Sequence, residues 1–405
     1  MMQSILMLGA GQEQCIAIKE AKSLGYRVVA CDGNPAAPGL SIADVGIVCD
    51  NLRDVNFLTN LGKRENISGI FCHAVEIPEV VAQVAQRLNL PGITPEVAHR
   101  CTNKYERIAA LRNANIPVPI FASAANYIEL LSLANEMEYP LVLKPIDNAG
   151  SRGVQLITDV SKLKHAYEEA MTHSNNNMVL IEKVLYGPQI STESVVWRGE
   201  VHTFAFADRN YEREDFYAPY FIENGINFPS RLPAIDQMAV LDMVNRTIKA
   251  LGINFGAAKG DVIIHNGQPH IIEMACRTSG GWFGAGSIPA ATGVNPLKPL
   301  LQMAMAEEPD LKLLIPKKQL GCAQRYWIPQ QAGIFKNASG FEKVTKLPGV
   351  VMFNHFFPVT GTKLEKARHH AQRYAQVICT GETREQAALR AEAAIAAINV
   401  EFEFQ

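Results

Sequence analysis

A strand that ends in a lysine and runs into a glycine-rich turn constrains this chain more than any other feature. The strand is Leu141–Lys144, followed by Pro145, and the turn is Asn148–Gly153. Lys144 supplies a point charge, and the glycines let backbone N–H groups face phosphate oxygens without side-chain interference. A second lysine, Lys104, follows Asn103, which stands where a helix N-cap belongs. Two lysines leading to a glycine turn predict a polyphosphate site, with plain surface charge as the alternative.

An acidic pair gives the second signal. Asp261 and Glu273 lie on either side of the dipeptide Asn266-Gly267, which predicts a β-hairpin. Apolar residues flank both carboxylates, which predicts that both strands face the core. A buried carboxylate without a partner is costly, so each carboxylate is expected to have one. Two carboxylates on neighbouring strands offer hard oxygen ligands, and they predict a site for the Mg²⁺ that accompanies a nucleotide. The alternative is a solvated surface hairpin.

Two cationic residues accompany the acidic pair. Arg277 opens the segment Thr278–Trp282 with its glycine pair, and its guanidinium fork suits a carboxylate or a developing phosphoryl charge. A structural salt bridge from Arg277 to Glu273 is the alternative. Lys259 is expected on the same strand face as Asp261, where it either bridges toward a substrate or pairs with Asp261.

Composition excludes several classes of function. A length of 405 residues predicts two or three domains. The net charge of -2 argues against a nucleic-acid binder, and no apolar run is long enough to cross a bilayer. The eight cysteines form no C-x-x-C motif, which favours a reduced, cytoplasmic setting. The expected partners are therefore small molecules, with no nucleic acid and no membrane, and a homodimer is left open.

The pattern of predicted helices and strands changes along the chain. Residues 1–102 alternate strand and helix patterns, which predicts a parallel sheet wrapped by helices. Residues 103–312 carry longer strands of period-2 alternation and the helical stretch Asp236–Leu251. The proline-marked stretch Leu314–Lys318 then predicts a linker into a smaller domain, residues 313–405. The predicted fold class is α/β and α+β.

In this order the motifs resemble the ATP-grasp superfamily, in particular its carboxylate–amine ligases and their relatives biotin carboxylase and L-amino acid ligase. The resemblance spans nearly the whole chain. It implies a Rossmann-like pre-ATP-grasp domain, a two-lobed ATP-grasp domain and a small C-terminal domain, with the boundaries given above.

The resemblance also implies roles for particular residues. Glu182 meets the adenine amino group through its backbone, at a hinge between two lobes. Gln189 stands where relatives usually have a ribose-binding glutamate, and an amide is the weaker acceptor there. The full set implied to bind ATP is Lys104, Lys144, Gly150, Ser151, Gly153, Glu182, Lys183, Val184, Leu185 and Gln189.

For the metal, the resemblance implies Asp261 and Glu273 as ligands of Mg²⁺, for which Mn²⁺ can substitute. Arg277 meets the acyl phosphate or the substrate carboxylate, and Lys259 assists. Many relatives have an asparagine two residues after the metal-binding glutamate, where this chain has Ala275. One oxygen ligand is missing, which leaves open whether one or two ions bind.

The implied activity is ADP-forming ligation of a small carboxylate to an amine, one of them an amino acid. A bicarbonate-activating carboxylase is the alternative within the fold. From other classes, an NAD-dependent oxidoreductase would use Gly9, Gly11 and Asp32, and a regulator would bind ATP without turnover. The segment Asp208–Arg231 is a candidate acceptor pocket. The segment 72–76, with a histidine and a glutamate, is a candidate at a strand end of the first domain.

Overall fold

The N-terminal part of the chain is a parallel four-stranded sheet between helices. The structure, a computed structural model, describes residues 2–403. The sheet has the spatial order β3-β2-β1-β4 and contains β1 (Ser4–Leu8), β2 (Arg27–Asp32), β3 (Val45–Val48) and β4 (Ile67–Cys72). The helices are α1 (Gln14–Ser23), α2 (Pro38–Ile42), α3 (Val55–Arg64), α4 (Pro78–Leu88) and α5 (Pro95–Thr102). Since β1 and β4 are parallel neighbours, the residues that follow them meet at one edge.

A small antiparallel sheet with the order β5-β8-β6-β7 comes next. Helices α7 and α8 pack on one face, and Ile108 of α6 lies against Phe121, Ile146 and Leu180 on the other. The elements are α6 (Lys104–Asn113), β5 (Phe121–Ala124), α7 (Tyr127–Met137), β6 (Leu141–Pro145), β7 (Gln155–Ile157), α8 (Val160–Thr172) and β8 (Val179–Lys183). The Asn103 side chain caps α6 by accepting the Glu106 N–H at 3.1 Å, as its sequence position predicts.

The rest of the chain is built on one antiparallel sheet of eight strands, ordered β13-β12-β9-β10-β11-β14-β18-β16. Helix α10 covers one face with an apolar stripe, and helices α11 and α12 pack on the other. These strands are β9 (Gln189–Trp197), β10 (Glu200–Asn210), β11 (Gly225–Phe228), β12 (Gly256–His265), β13 (Gln268–Ala275), β14 (Gly321–Trp327), β16 (Val350–His355) and β18 (Ala375–Gly381). The helices are α9 (Glu214–Tyr217), α10 (Ala234–Leu251), α11 (Ile288–Thr292) and α12 (Leu297–Ala304), with a π-helical turn at Phe283–Ser287 and a 3₁₀ turn at Leu311–Leu314.

The C-terminal part adds a fourth sheet, of three strands, and two helices. The sheet is ordered β17-β15-β19, and α14 packs on β14 and β18 of the large sheet. The remaining elements are β15 (Gly333–Ser339), α13 (Phe341–Thr345), β17 (Lys363–Leu364), a 3₁₀ turn at His370–Gln372, α14 (Arg384–Ala396) and β19 (Asn399–Glu403). No helix within residues 2–403 is both long and apolar enough to span a membrane.

The predicted hairpin is formed by β12 and β13. His265 pairs with Gln268 around the two-residue turn, where Asn266 and Gly267 both have positive φ. The register then shifts by one residue between Asp261 and Val262, so that Asp261 lies directly opposite Glu273. A bulge of this kind re-aims side chains beyond it. Without it, Asp261 would face the apolar Ile272.

Strand β14 joins β11 to β18, so the large sheet runs across the boundary predicted at 312/313. A chain cut after residue 312 would expose the edge of β11 and lose the strands on its outer side. We therefore expect residues 1–312 alone to unfold without the cooperative transition of the whole chain, measured by thermal unfolding followed by circular dichroism. A truncated chain with an unchanged transition would show that residues 1–312 fold without the C-terminal part.

Candidate active site

A cavity of about 810 Å³ lies where the parts of the chain meet. All the predicted site residues except Gly153 line it. Gly153 lies behind the loop with φ +69°, and a Cβ there would come within 3.2 Å of Ala170 and 3.3 Å of Pro145. This close packing and the positive φ account for a glycine at the base of the turn.

Lysines and a glutamate form the end of the cavity beside the glycine-rich turn. Lys144 Nζ lies 2.6 Å from Glu182 Oε2, and both side chains are buried. The other carboxylate oxygen of Glu182 has no hydrogen-bond partner among the described residues. The Lys104 ammonium donates to the backbone oxygen of Asn148, and burial lowers the pKa of Lys104 to about 8. The predicted phosphate-binding lysines are thus held at the base of the turn.

The tip of the glycine-rich turn is docked on the C-terminal part of the chain. Gly150 and Ser151 both have positive φ, and the His370 N–H donates to the Gly150 carbonyl at 3.0 Å. His370 Nε2 lies 3.3 Å from Ser151 Oγ and accepts the Glu223 N–H at 3.3 Å. Burial, reinforced by nearby arginines, holds the pKa of His370 well below its ordinary value, so the neutral ring accepts at Nε2. These contacts with His370 hold the glycine-rich turn over the cavity from the side of the C-terminal part.

The acidic pair lies within a dense set of charges. Asp261 accepts from Ser191 Oγ at 2.5 Å, lies 2.9 Å from Arg209 Nη1 and is bonded to the Lys259 ammonium. Lys259 Nζ also lies 3.7 Å from Glu273 Oε2. Burial alone would raise the pKa of both carboxyls, but the cations hold both pKa values below their ordinary range. Both groups are therefore carboxylates, and the predicted alternative of Lys259 pairing with Asp261 is the one observed.

The donors present fit a magnesium ion. Asp261 and Glu273 are cross-strand partners, ionised and open to the cavity. Within residues 2–403 no group of three or more histidine, cysteine, aspartate or glutamate side chains is arranged to hold a metal on its own. Mg²⁺ characteristically takes one or two carboxylates and completes its shell with phosphate oxygens and water. Ala275 lies opposite Lys259, so the position where relatives have a further ligand faces an ammonium.

Arg277 has a different partner from the one weighed in the sequence. Its Nε and Nη2 both bond Glu76 Oε2, so the structural alternative of a bridge to Glu273 is wrong. The reason is topological, because Glu76 follows the carboxyl end of β4 and meets the large sheet there. Glu273 still contributes to holding the pKa of Arg277 above its ordinary value, after Glu76.

Two glutamates, the half-buried Glu13 and the buried Glu193, hold the segment after Arg277. Glu13 accepts the N–H groups of Gly281 at 3.2 Å and Trp282 at 2.7 Å. Glu193 accepts the Ser279 N–H at 3.1 Å. Burial raises the pKa of both carboxyls, that of Glu13 to about 7. No sequence pattern marked either glutamate as a site residue.

The N-terminal glycine turn is held by a hydrogen bond to Asp32 within the first domain. The Asp32 carboxylate accepts the Ala10 N–H at 2.6 Å and the Asn34 N–H at 2.8 Å. A ribose-binding aspartate needs those acceptor sites for hydroxyl groups. Glu13, four residues after Gly9, points to the large cavity. The Asp32 carboxylate is therefore already engaged by two backbone N–H groups.

Sequence reasoning placed Arg209 and Glu223 near an acceptor pocket, and both line the cavity. Arg209 bonds Glu223 Oε2 at 2.6 and 2.8 Å as well as Asp261, so it links that segment to the acidic pair. The contributions missed from the sequence come from the C-terminal part. They are Tyr326, Phe356, His370, Arg373 and Gln376.

Comparison with protein families decides the identity of this site. Residues 101–281 match the family model of the ATP-grasp domain, and residues 325–403 match that of the L-amino acid ligase C-terminal domain 2. The chain therefore contains an ATP-grasp domain. An uncharacterized protein of Sinorhizobium fredii is 25% identical over 334 residues, 81% of this ATP-grasp chain and 67% of the relative. A formate-dependent phosphoribosylglycinamide formyltransferase of Saccharolobus solfataricus is 23% identical over 399 residues, 95% of this chain and 94% of the relative.

Solved structures give the same fold. An L-amino acid ligase from Bacillus licheniformis superposes with a TM-score of 0.84 at 19% identity, covering 99% of both chains. A biotin carboxylase domain from Hydrogenobacter thermophilus, solved with MgADP and bicarbonate, has a TM-score of 0.76 at 18% identity and covers 99% of this chain and 91% of that one. The predicted fold class and the enzyme class of ADP-forming ATP-grasp ligase are confirmed, while the cofactors ATP and Mg²⁺ stay a prediction for this chain.

Glu13 makes the stability of this ATP-grasp chain depend on pH. Its pKa of about 7 in the folded protein exceeds the ordinary value of 4.5. As pH rises from 4.5 to 7, the unfolded chain loses this proton while the folded chain keeps it. We expect wild type to lose about 3 kcal/mol of stability relative to Glu13→Gln over that range, measured by urea unfolding. A difference between the two proteins that does not change with pH would contradict the protonated state.

Proposed function

We propose that this ATP-grasp ligase activates a small carboxylate as an acyl phosphate and joins it to an amine, one of the two being an amino acid. One observation carries the proposal. Two lysines, a glycine-rich turn, two ionised carboxylates on paired strands and Arg277 line a single cavity. That set of groups suits a triphosphate tail, its metal ion and an anionic substrate side by side.

The reaction takes two displacements. An oxygen of the substrate carboxylate attacks the γ-phosphorus, and the bond from that phosphorus to the bridging oxygen of ADP breaks. The amine nitrogen then attacks the carbonyl carbon of the acyl phosphate. The carbon–oxygen bond to phosphate breaks, an amide forms, and the phosphate leaves as hydrogen phosphate with the proton of the amine.

The residues of this chain would position the reacting groups and neutralise the negative charge of the phosphates. Lys104 and Lys144 would bind phosphate oxygens, and Lys144 would exchange its bond with Glu182 for one to ATP. Asp261 and Glu273 would hold Mg²⁺, which neutralises charge on the phosphates when bound. Lys259, already between the two carboxylates, would stay beside the ion as a second positive charge. Such placement of charge is the main catalytic device in phosphoryl transfer.

Arg277 would bind the substrate carboxylate and then the acyl phosphate. Its segment is held rigidly by Glu13 and Glu193, so the guanidinium and the Gly280-Gly281 backbone approach the reacting groups together. The turn Asn148–Gly153, docked on His370, would exclude water from the intermediate.

Bicarbonate is the second candidate for the carboxylate. It is favoured by the similarity to a biotin carboxylase domain solved with bicarbonate, a likeness that establishes the fold. The two candidates differ in the product, an amide or a carboxylated amine. Of the remaining expectations, we propose a cytoplasmic location, supported by eight cysteines that are all free thiols. We also retain the boundaries at 102/103 and 312/313, the second of which divides two parts that share the large sheet, and a homodimer stays open.

The test measures ADP release in the presence of Mg²⁺ and ATP. Each of a set of carboxylates, bicarbonate included, is combined with each of a set of amines. For the pair that gives turnover, we expect Glu273→Gln to lower kcat roughly 100-fold or more, because one oxygen ligand and one negative charge at the metal are lost. The control is Glu200→Gln, which removes an exposed carboxylate on β10 and should retain wild-type turnover. Thermal unfolding checks that both variants fold.

Undiminished turnover in Glu273→Gln would remove the metal assignment. Stimulation by bicarbonate with no amide product would select the carboxylase. Release of AMP in place of ADP would refute the acyl phosphate.

A further inference from the structure

The end of the cavity beyond Gly281 is built by strands β14 and β18 of the C-terminal part. Tyr326 on β14 lies directly opposite Gln376 on β18, and Arg373 lies two residues before the start of that strand. All three line the cavity. The Tyr326 hydroxyl lies 3.4 Å from the Gly281 carbonyl, so this end adjoins the segment that follows Arg277.

A relay of buried amides fixes the direction of Gln376. Gln324 Nε2 donates to the Gly281 carbonyl at 2.6 Å and to Gln376 Oε1 at 3.0 Å, while Gln324 Oε1 accepts from Ser287 Oγ at 3.0 Å. With the oxygen of Gln376 engaged, its amide nitrogen must point the other way. That nitrogen has no hydrogen-bond partner within residues 2–403, although Gln376 is only 3% exposed. A buried donor without a partner is costly, which indicates a missing acceptor.

Arg373 supplies a second free donor and a positive charge. Its Nη2 donates to the Glu223 carbonyl at 2.6 Å, and its guanidinium lies 4.2 Å from the centroid of the Tyr326 ring. Its Nε is buried and has no partner in the described part of the chain. The nearest carboxylate is that of Glu223, whose Oε1 lies 3.8 Å from Arg373 Nη2. The other oxygen of Glu223, Oε2, is already bonded by Arg209 Nη2 at 2.6 Å. The charge of Arg373 is therefore only weakly compensated.

We propose that Arg373 and Gln376 form a subsite for a carboxylate carried by the amine substrate, so that the amine substrate is an amino acid. The inference rests on the proposed ligase function. Both free atoms are donors, so the subsite takes an oxyanion and rejects an ammonium group. One guanidinium beside the Glu223 carboxylate suits a monoanion better than a phosphate dianion. Because the amide relay starts at Gly281, the subsite is fixed relative to the segment that follows Arg277.

Gln376→Glu is the sharpest variant, because it keeps the oxygen that accepts from Gln324 and replaces the free donor with an acceptor. The assay uses the carboxylate identified by ADP release. Three kinds of amine are compared with it: amino acids, the corresponding amino-acid amides, and O-phosphoethanolamine. We expect wild type to use amino acids and to discriminate against the amides. In Gln376→Glu, KM for amino acids should rise roughly 10- to 100-fold with kcat largely kept, and KM for the amides should fall.

Two further variants keep the test decisive. Gln376→Leu removes the donor without adding charge and should raise KM for amino acids with no gain for amides, so it answers the case in which the glutamate variant fails to fold. Gln372→Glu adds the same charge four residues earlier, outside the cavity lining, and its Oε1 can still accept the Arg368 and His369 N–H groups. It should behave as wild type.

Several outcomes would overturn the subsite while the ligase function stands. These are equal use of amino acids and amides by wild type, an equal effect of Gln376→Glu on both, and a preference for O-phosphoethanolamine. Absence of ADP release with every pair would instead refute the proposed function. Calorimetric titration of amino acids into the protein with MgADP then decides: binding that Gln376→Glu abolishes supports the carboxylate subsite, and no binding to wild type overturns it.

Discussion

The pairing of Asp261 with Glu273 across one hairpin is the interaction on which the site depends. Two carboxylates remain ionised inside the protein only because cations surround them, since an unpaired buried charge costs several kcal/mol. Arg209 comes from β10, Lys259 from the hairpin itself, and Lys104 and Arg107 from α6. Breaking the hairpin register would separate the two carboxylates and remove Lys259 from between them.

The charges also explain why the parts of the chain act as one body around the cavity. Glu13 and Glu76 reach in from the N-terminal sheet, and His370 and Arg373 from the C-terminal part. Helix α12 adds an apolar contact, since Leu297, Leu301 and Ala304 are buried against the N-terminal sheet. Each part therefore contributes both a packing surface and a polar group, which ties the geometry of the site to the stability of the whole.

Much of this was predictable where the signals are local. The dipeptide Asn266-Gly267 specifies a two-residue turn, which brings residues near 261 and 273 together. The bulge that sets Asp261 opposite Glu273 has no marker in the sequence, because Ile272 is apolar like its neighbours. The glycine-rich turn was found for the same local reason, yet Gly153 packs behind it instead of lining the cavity.

Contacts between distant segments were beyond sequence reasoning. Glu13 and Trp282 are separated by 269 positions, and the amide relay from Gly281 through Gln324 to Gln376 crosses three segments. Such buried polar pairs form because the fold excludes water and each group must find a partner, and no periodicity records the choice. The continuation of the large sheet past residue 312 was missed in the same way, since a strand pattern does not name its neighbour.

Oxygen transfer from the substrate carboxylate to phosphate tests the central claim most directly. The carboxylate identified by ADP release is labelled with ¹⁸O in both oxygens, and the released phosphate is examined by mass spectrometry. Attack of the carboxylate on the γ-phosphorus predicts one ¹⁸O atom in each phosphate formed. Unlabelled phosphate accompanying amide formation would contradict the account, because the carboxylate would then never have been bonded to phosphorus.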